Sequence, residues 1–218
     1  AYPSIVAAGS NGCVLHYHNN DTRIEDGDML LIDAGCEYAG YASDITVTWP
    51  ASGRFTEPQR RVYEAVLRVQ QEVVDAVRPG STFKRLNTMA CQGLLREMKR
   101  LELVDANASI DELMEKQAYK PYYMHSIGHW IGMDVHDVGG YGKDRNRAFE
   151  PGMVVTIEPG LYIPLDADDA PAELRGIAVR IEDDIAVTND APRNLTHGLP
   201  RSVDEIHRFM DKTRSLEK

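Results

Sequence analysis

The chain has 218 residues, of which 43% are hydrophobic, so it can bury a substantial core as one large domain or two small ones. Its formal net charge of -10 at pH 7 argues against the basic surface of a nucleic-acid-binding protein, and we expect no nucleic-acid partner. No apolar run approaches the roughly 20 residues of a membrane span, and the start has no signal-peptide pattern, so we expect no membrane partner.

The three cysteines, Cys13, Cys36 and Cys91, are odd in number and far apart, without the close pairing of a zinc ribbon or a redox motif. This usage is typical of reduced thiols and predicts a cytoplasmic protein. The chain opens at "AYPSIVAAGSNG" without an initiator Met and runs directly into strand-like sequence, so we expect it to be a fragment of a longer protein.

Two strands are predicted near the start of the chain. "GDMLLIDAG" (27–35) is a short apolar run closed by glycines, which favours a strand buried on both faces. "YASDITVTW" (41–49) alternates, with Asp44, Thr46 and Thr48 on one face and apolar residues on the other. Together the two segments predict a hairpin.

Three helices follow. Thr56, with Gln59 three residues on, predicts the start of a helix that ends at "RPG" (78–80). Ser81 is predicted to open a second helix, and Ser109 a third, shorter one. Their apolar stripes indicate core packing, and nothing in them indicates chemistry.

The first strand has a counterpart later in the chain. "GMVVTIEPG" (152–160) repeats the layout of "GDMLLIDAG": a Gly, an apolar run, an acid six positions on, one residue and another Gly. Each segment is followed by a second acidic strand, "SDITVT" after the first and "VRIEDDIAVT" after the second. The sequence therefore predicts a duplicated hairpin that brings four carboxylates to one axis.

The acids of this repeat predict a metal site. Asp33 and Glu158 each interrupt an otherwise apolar strand, and an unpartnered buried carboxylate costs several kcal/mol or more. A salt bridge to an arginine would explain either acid alone. It explains less well two acids at matching positions with further acids beside them, because four close carboxylates repel each other unless cations lie between them. Two divalent ions would balance the four charges.

A histidine-rich segment offers nitrogen ligands. "MHSIGHWIGMDVHDVGG" (124–140) holds His125, His129 and His136, and imidazoles crowd together mainly to bind metal or move protons, although ordinary half-buried histidines are the alternative. A zinc site formed by His125 and His129 as a helical H-x-x-x-H pair is a weaker alternative. Glycines within and just after the pair disfavour a helix, and Ser126 stands where the H-E-x-x-H motif has its Glu. Oxygen ligands with one imidazole favour Mn²⁺, or Co²⁺, Fe²⁺ or Zn²⁺ under other conditions.

Five segments in order carry a family resemblance: "HYHNN", "LIDAGCEYAGYASDITVTWP", "HSIGHWIGMDVHDVG", "EPGMVVTIEPGLYIP" and "RGIAVRIEDDIAVT". Together they resemble the catalytic domain of aminopeptidase P, the Xaa-Pro aminopeptidase family, over nearly the whole chain. The resemblance implies the α+β pita-bread fold, a pseudo-twofold duplicated antiparallel sheet with helices packed on its outer face. Residues 1–218 would form this domain, without the opening helices and amino-terminal domain usual in the family.

The resemblance also implies a site for two divalent metal ions, most often Mn²⁺. The five implied ligands are Asp33, Asp44, His129, Glu158 and Glu182. Asp44 and Glu182 would bridge both ions. The repeat by itself aligns Asp184, not Glu182, with Asp44, since both precede I-x-V-T, and the family pattern decides for Glu182.

Three catalytic residues follow from the same resemblance. Glu158 would act as the general base, His136 would contact the substrate carbonyl and stabilise the tetrahedral intermediate, and His125 would line the substrate pocket. Four residues would bind or border the substrate: His16, Arg145, Tyr162 and Arg180. Arg145 would contact the longer peptide or its terminus, and Arg180 with Tyr162 would hold the ligand carboxylates in place.

The resemblance thus predicts a metal-dependent aminopeptidase that releases the first residue of peptides with proline second, by attack of a metal-bridging hydroxide. We expect a peptide substrate and a homo-oligomer, a dimer or tetramer. The alternatives are a prolidase that cleaves only Xaa-Pro dipeptides, a methionine aminopeptidase, and a metal-free pita-bread binding protein, which the intact ligand set disfavours.

Overall fold

A computed structural model describes residues 2–216, so residue 1 and residues 217–218 of the predicted domain lie outside the described residues. The strands of the first half are β1 (Ile5–Ala8), β2 (Met29–Ala34), β3 (Glu37–Tyr38), β4 (Tyr41–Ala42) and β5 (Ile45–Pro50). The helices that follow are α1 (Glu57–Asp75), α2 (Phe83–Arg100) and α3 (Ile110–Glu115). The remaining elements are β6 (Val154–Ile157), β7 (Gly160–Tyr162), β8 (Ala178–Arg180), β9 (Asp183–Ala186), β10 (Arg193–Asn194) and α4 (Val203–Leu216).

The first half is a three-stranded antiparallel sheet in the order β1-β2-β5, and its β2–β5 pair is the predicted hairpin. Asp33 pairs with Ile5 on one side and with Thr46 on the other. The prediction that the first strand is buried on both faces is wrong. Alternate residues of β2 are buried, whereas Leu30 and Ile32 are only half-buried, because they line an open groove on their face of the sheet that α4 borders through Met210.

The second half contains one long hairpin with an interruption. Ile157 pairs with Asp183 and Gly160 with Arg180, so the two ladders share one register. Residues 158 and 182 therefore lie opposite each other in the gap between the ladders. A pair of acids thus occupies the point where regular pairing stops.

The segment 127–131 runs along the other side of β6. Trp130 bridges to Val155, and the Thr156 N–H donates to the His129 carbonyl at 3.0 Å. This segment, β6 and β9 repeat the arrangement of β1, β2 and β5. The predicted duplication of the sheet is present in the structure.

The two halves meet along β5. The Glu182 N–H donates to the Thr46 carbonyl at 3.1 Å, and the Thr48 hydroxyl donates to the Arg180 carbonyl at 2.8 Å. The polar face of β5 is consequently its buried face, since it lies against the other half rather than against solvent. This seam brings the acids of both halves together.

Helices α1 and α3 begin with capping boxes, as predicted, formed by Thr56 with Gln59 and by Ser109 with Glu112. The second helix is capped by Thr82 and not by Ser81. The Ser81 hydroxyl instead donates to the Ala76 carbonyl at 2.8 Å and closes the turn after α1. A serine and a threonine in succession offer the same cap chemistry, and the tertiary turn decides between them.

The main core lies between the helix pair α1–α2 and the outer face of the second half. Val66, Leu94, Ile157 and Val179 are fully buried in it, and each such side chain stabilises the fold by about 2 kcal/mol. This packing holds β6 and β9, whose ends adjoin Glu158 and Glu182, against a rigid support. None of the described helices combines the length and the apolar character that a membrane span needs.

Candidate metal centre

The predicted acids and His129 converge at the floor of a cavity of about 360 Å³. The cavity wall includes all five predicted metal ligands, Asp33, Asp44, His129, Glu158 and Glu182. Asp33 is the second-last residue of β2, Asp44 directly precedes β5, and the two glutamates face each other in the interrupted hairpin. Three of the four acids thus lie where strand pairing is interrupted or has not begun, whereas Asp33 is paired on both sides within its sheet.

Three of these residues form the tightest group. Asp44, His129 and Glu182 each offer one ligand atom, and these atoms all lie within 4.8 Å of one another. A divalent ion with ligand bonds of about 2.0–2.3 Å needs its donors about 3–4.5 Å apart, so this set fits an ion. Glu158 lies at its edge, with its Oε1 3.7 Å from His129 Nε2. His129 Nε2 is also 3.4 Å from Asp44 Oδ2.

His129 is oriented as a ligand by its own backbone. Its Nδ1 lies 3.0 Å from the Trp130 carbonyl oxygen, which only accepts, so Nδ1 carries a proton and Nε2 is the nitrogen that faces the cluster and would bind an ion. The preceding Gly128 is required by close strand approach. A Cβ there would lie 1.9 Å from the Thr156 carbonyl oxygen.

Asp33 is held by a buried arginine. Arg180 Nη2 donates to Asp33 Oδ2 at 2.5 Å, and Arg180 Nε donates to the Thr46 hydroxyl at 3.1 Å. The Thr46 hydroxyl in turn donates to Glu182 Oε2 at 2.6 Å. Arg180 therefore fixes an acid of each half, one directly and one through Thr46, and Asp33 has the arginine partner that was considered for either acid alone.

Tyr162 and His125 extend this network. Arg180 Nη1 lies 3.3 Å from the Tyr162 hydroxyl, and His125 Nε2 lies 2.7 Å from the same hydroxyl. His125 Nδ1 lies 2.9 Å from the Ser126 carbonyl. Both ring nitrogens of His125 thus have protein partners, and Tyr162 is fully buried behind the cavity wall.

The carboxylates repel each other in the absence of a cation. Burial raises the pKa of Glu158 to about 7, although His129 and Arg180 oppose the shift. Burial, followed by the neighbouring Glu158 and Asp44, raises the pKa of Glu182 well above its usual value. Burial likewise raises the pKa of Asp33. Raised pKa values of several carboxyl groups in one cavity are typical of a cation site from which the cation is absent.

The imidazoles divide into two kinds. Burial lowers the pKa of His129, but its hydrogen bond to Asp44 and the charge of Glu158 outweigh burial and raise it. Burial lowers the pKa of His125 to about 4 and also lowers that of His136, whose ring centroid lies 4.4 Å from that of His129. The last two rings are therefore neutral near pH 7.

Arg145 forms one rim of the cavity. Its Nη2 donates to the Gly128 carbonyl at 2.6 Å, and its guanidinium lies 4.3 Å from the Tyr141 ring centroid and 4.9 Å from that of Phe83. These contacts hold a positive charge at a fixed point of the wall. His16 and His136 line the same cavity.

Sequence reasoning missed three contributors. The Tyr2 hydroxyl donates to both Asp33 and Asp44, Thr46 supports Glu182, and Asp184 Oδ2 accepts from the Asp44 N–H at 3.1 Å. Alternation had placed Thr46 on the face of Asp44, which was a usable signal. Tyr2 lies outside every motif, so nothing in the sequence indicated it.

The sequence of the chain matches a known protein family. The family model described as "Metallopeptidase family M24" matches residues 1–189. The chain belongs to metallopeptidase family M24. The resemblance stated from the sequence is thereby confirmed at the level of the family.

Curated relatives of this M24 chain include Xaa-Pro aminopeptidases. It is 46% identical over 211 residues to the Haemophilus influenzae protein of that name and 44% identical over 214 residues to that of Escherichia coli. The alignments cover 97% and 98% of this chain but 48% of each relative. The chain thus spans about half the length of the curated relatives it matches.

Solved structures confirm the fold. A Glu-to-Ala variant of Escherichia coli aminopeptidase P in complex with substrate superposes with a TM-score of 0.94 at 44% identity, covering 98% of this chain and 48% of that one. The same enzyme with the inhibitor Pro-Leu gives the same TM-score and coverage. The M24 chain has the predicted α+β pita-bread fold, with its duplicated antiparallel sheet and its helices on the outer face.

Proposed function

We propose that this M24 chain is the catalytic part of an aminopeptidase that releases the first residue from peptides with proline in second position. The observation that carries the proposal is the group of Asp44, His129 and Glu182 on the cavity floor, with Glu158 beside it. The names of its relatives in two bacteria support the substrate class.

We further propose that the cluster holds two divalent ions, most often Mn²⁺, with Asp33 joining the four residues above. The donor set of carboxylates with one imidazole and no thiolate supports this choice of metal. When bound, the ions supply Lewis acidity, which makes a water acidic and polarises the scissile carbonyl.

Side chains of the protein itself carry out the proton transfers of the proposed reaction. Glu158 accepts a proton from the attacking water and delivers it to the proline nitrogen, which is tertiary in the peptide bond and must be protonated to leave. His136 is neutral near pH 7 and donates a hydrogen bond to the oxyanion that develops on the carbonyl. His125, whose ring nitrogens are both engaged, serves as a positioning residue through Tyr162.

The outer wall would bind the rest of the peptide. His16 contacts the proline side of the substrate, and Arg145 meets the chain beyond the proline. Arg180 and Tyr162 border the site and keep the acids oriented. We propose that residues 1–218 form one catalytic domain within a homo-oligomer. The free state of all three cysteines supports a cytoplasmic location.

The runner-up is a prolidase restricted to dipeptides. A side-by-side assay of Xaa-Pro-Ala, Xaa-Pro, Xaa-Ala-Ala and Met-Ala-Ser on the full-length, manganese-loaded protein separates the candidates. We expect release of only the first residue from Xaa-Pro-Ala, because the pyrrolidine ring fixes φ and presents the carbonyl in one orientation. Cleavage of Xaa-Pro without the tripeptide would indicate prolidase, and release of Met alone a methionine aminopeptidase.

A further inference from the structure

A second cavity, of about 440 Å³, also borders the acid cluster. It shares Asp33, Asp44, His16 and His136 with the first cavity. The acids therefore lie at the junction of two spaces. A peptide bond positioned at the cluster would place the groups on its two sides in different cavities.

The two cavities differ in charge. The first has Arg145 and Arg180 in its wall, whereas no lysine or arginine among residues 2–216 lines the second. Once cations neutralise Asp33 and Asp44, the second cavity keeps one acid, Asp134. The side chain of Asp134 is exposed.

Asp134 is fixed in place by its loop. The Gly132 N–H donates to the Asp134 carbonyl at 3.1 Å, and the Asp134 N–H points to Asp137 Oδ1 at 3.4 Å. Ile5 and Val135 line the same cavity together with the rings of Tyr2, His16, His18 and His136. Side chains and rings of this kind, with a carboxylate at one position, suit a long basic side chain, whose methylene groups pack while its charged end stays near the acid.

We propose that the second cavity receives the side chain of the first substrate residue and that Asp134 makes it prefer arginine or lysine there. The proposal rests on the proposed aminopeptidase function. The positive wall of the first cavity then receives the peptide beyond the proline, and the charge difference orients the substrate along the cluster.

The test compares Arg-Pro-Ala with citrulline-Pro-Ala, which keeps the shape of arginine without its charge. The readout is the ratio of their kcat/KM values for the full-length, manganese-loaded protein. We expect a ratio of about 5 that falls toward 1 in Asp134→Asn and is kept in Asp134→Glu. Glu150→Gln is the control, since it removes one exposed carboxylate that lines neither cavity and should keep the ratio.

The outcomes separate the two proposals. If neither peptide loses its first residue, the proposed function fails. If both are cleaved with equal kcat/KM by the unmodified protein, the function stands and the role of Asp134 is refuted. The role is equally refuted if Asp134→Asn keeps the ratio or slows both peptides alike, because a residue that selects charge must affect only the charged substrate.

Discussion

Removing metal from this protein should make its stability fall as pH rises from 5 to 8. The pKa of Glu158 rises from 4.5 in the unfolded chain to about 7 in the folded, metal-free protein. Keeping this carboxyl ionised in the folded state then costs about 3 kcal/mol, because a tenfold change in proton affinity corresponds to about 1.4 kcal/mol.

The direction of the change of stability with pH follows from which state binds the proton more tightly. Because the folded-state pKa lies above the unfolded value, the folded protein binds the proton more tightly, and this contribution to stability is complete below about pH 4.5. It is lost as the pH rises through about 7. Glu182 and Asp184 act in the same direction, since their pKa values are raised as well. The lowered pKa of His125 opposes the trend only below about pH 6.5, and Asp44, whose pKa is lowered from 3.8, adds no pH dependence between pH 5 and 8. With cations bound, the acids are needed in their ionised form, and the trend should disappear or reverse.

The assay is thermal unfolding at pH 5.5 and 8, with and without a chelator, with metal content verified. Between pH 5.5 and 8 the Glu158 carboxyl loses about 2 kcal/mol of this contribution, because part of it is already lost at pH 5.5. For a domain of about 200 residues this corresponds to roughly 4–8 °C in Tm, so the metal-free protein should melt lower by this order at pH 8. Glu158→Gln should reduce the difference, whereas Glu150→Gln, at an exposed position, should not. A metal-free protein whose Tm is unchanged or higher at pH 8 would refute the reasoning.

Three substitutions test the remaining assignments. Asp44→Asn should abolish activity and reduce metal content, measured by elemental analysis, while circular dichroism stays unchanged, because it removes charge at nearly constant size. His136→Ala should lower kcat by roughly 10²-fold with metal retained, and loss of the metal instead would show that the histidines are assigned wrongly. Gly128→Ala should destabilise the fold by about 1–3 kcal/mol in denaturant unfolding, since its Cβ would meet the Thr156 carbonyl, whereas Gly198→Ala, which meets nothing within 4 Å, should be close to neutral.

Local patterns in the sequence determined the elements and the candidate acids. The capping boxes at Thr56 and Ser109 depend on residues three positions apart, so the sequence alone contains them. The repeat of an acid between glycines marked Asp33 and Glu158, because an ionisable residue inside an apolar strand is costly without a partner. These signals are local and needed no knowledge of distant contacts.

Only the tertiary structure decided how the acids are combined. The repeat aligned Asp184 with Asp44, but the pairing of Ile157 with Asp183 places residue 182 opposite Glu158 and turns Glu182 toward His129. Strand register is set by cross-strand packing over many residues, and local similarity of sequence does not specify it. The same holds for Tyr2, whose contacts with two acids join positions more than 30 residues apart and arise only when the chain has folded.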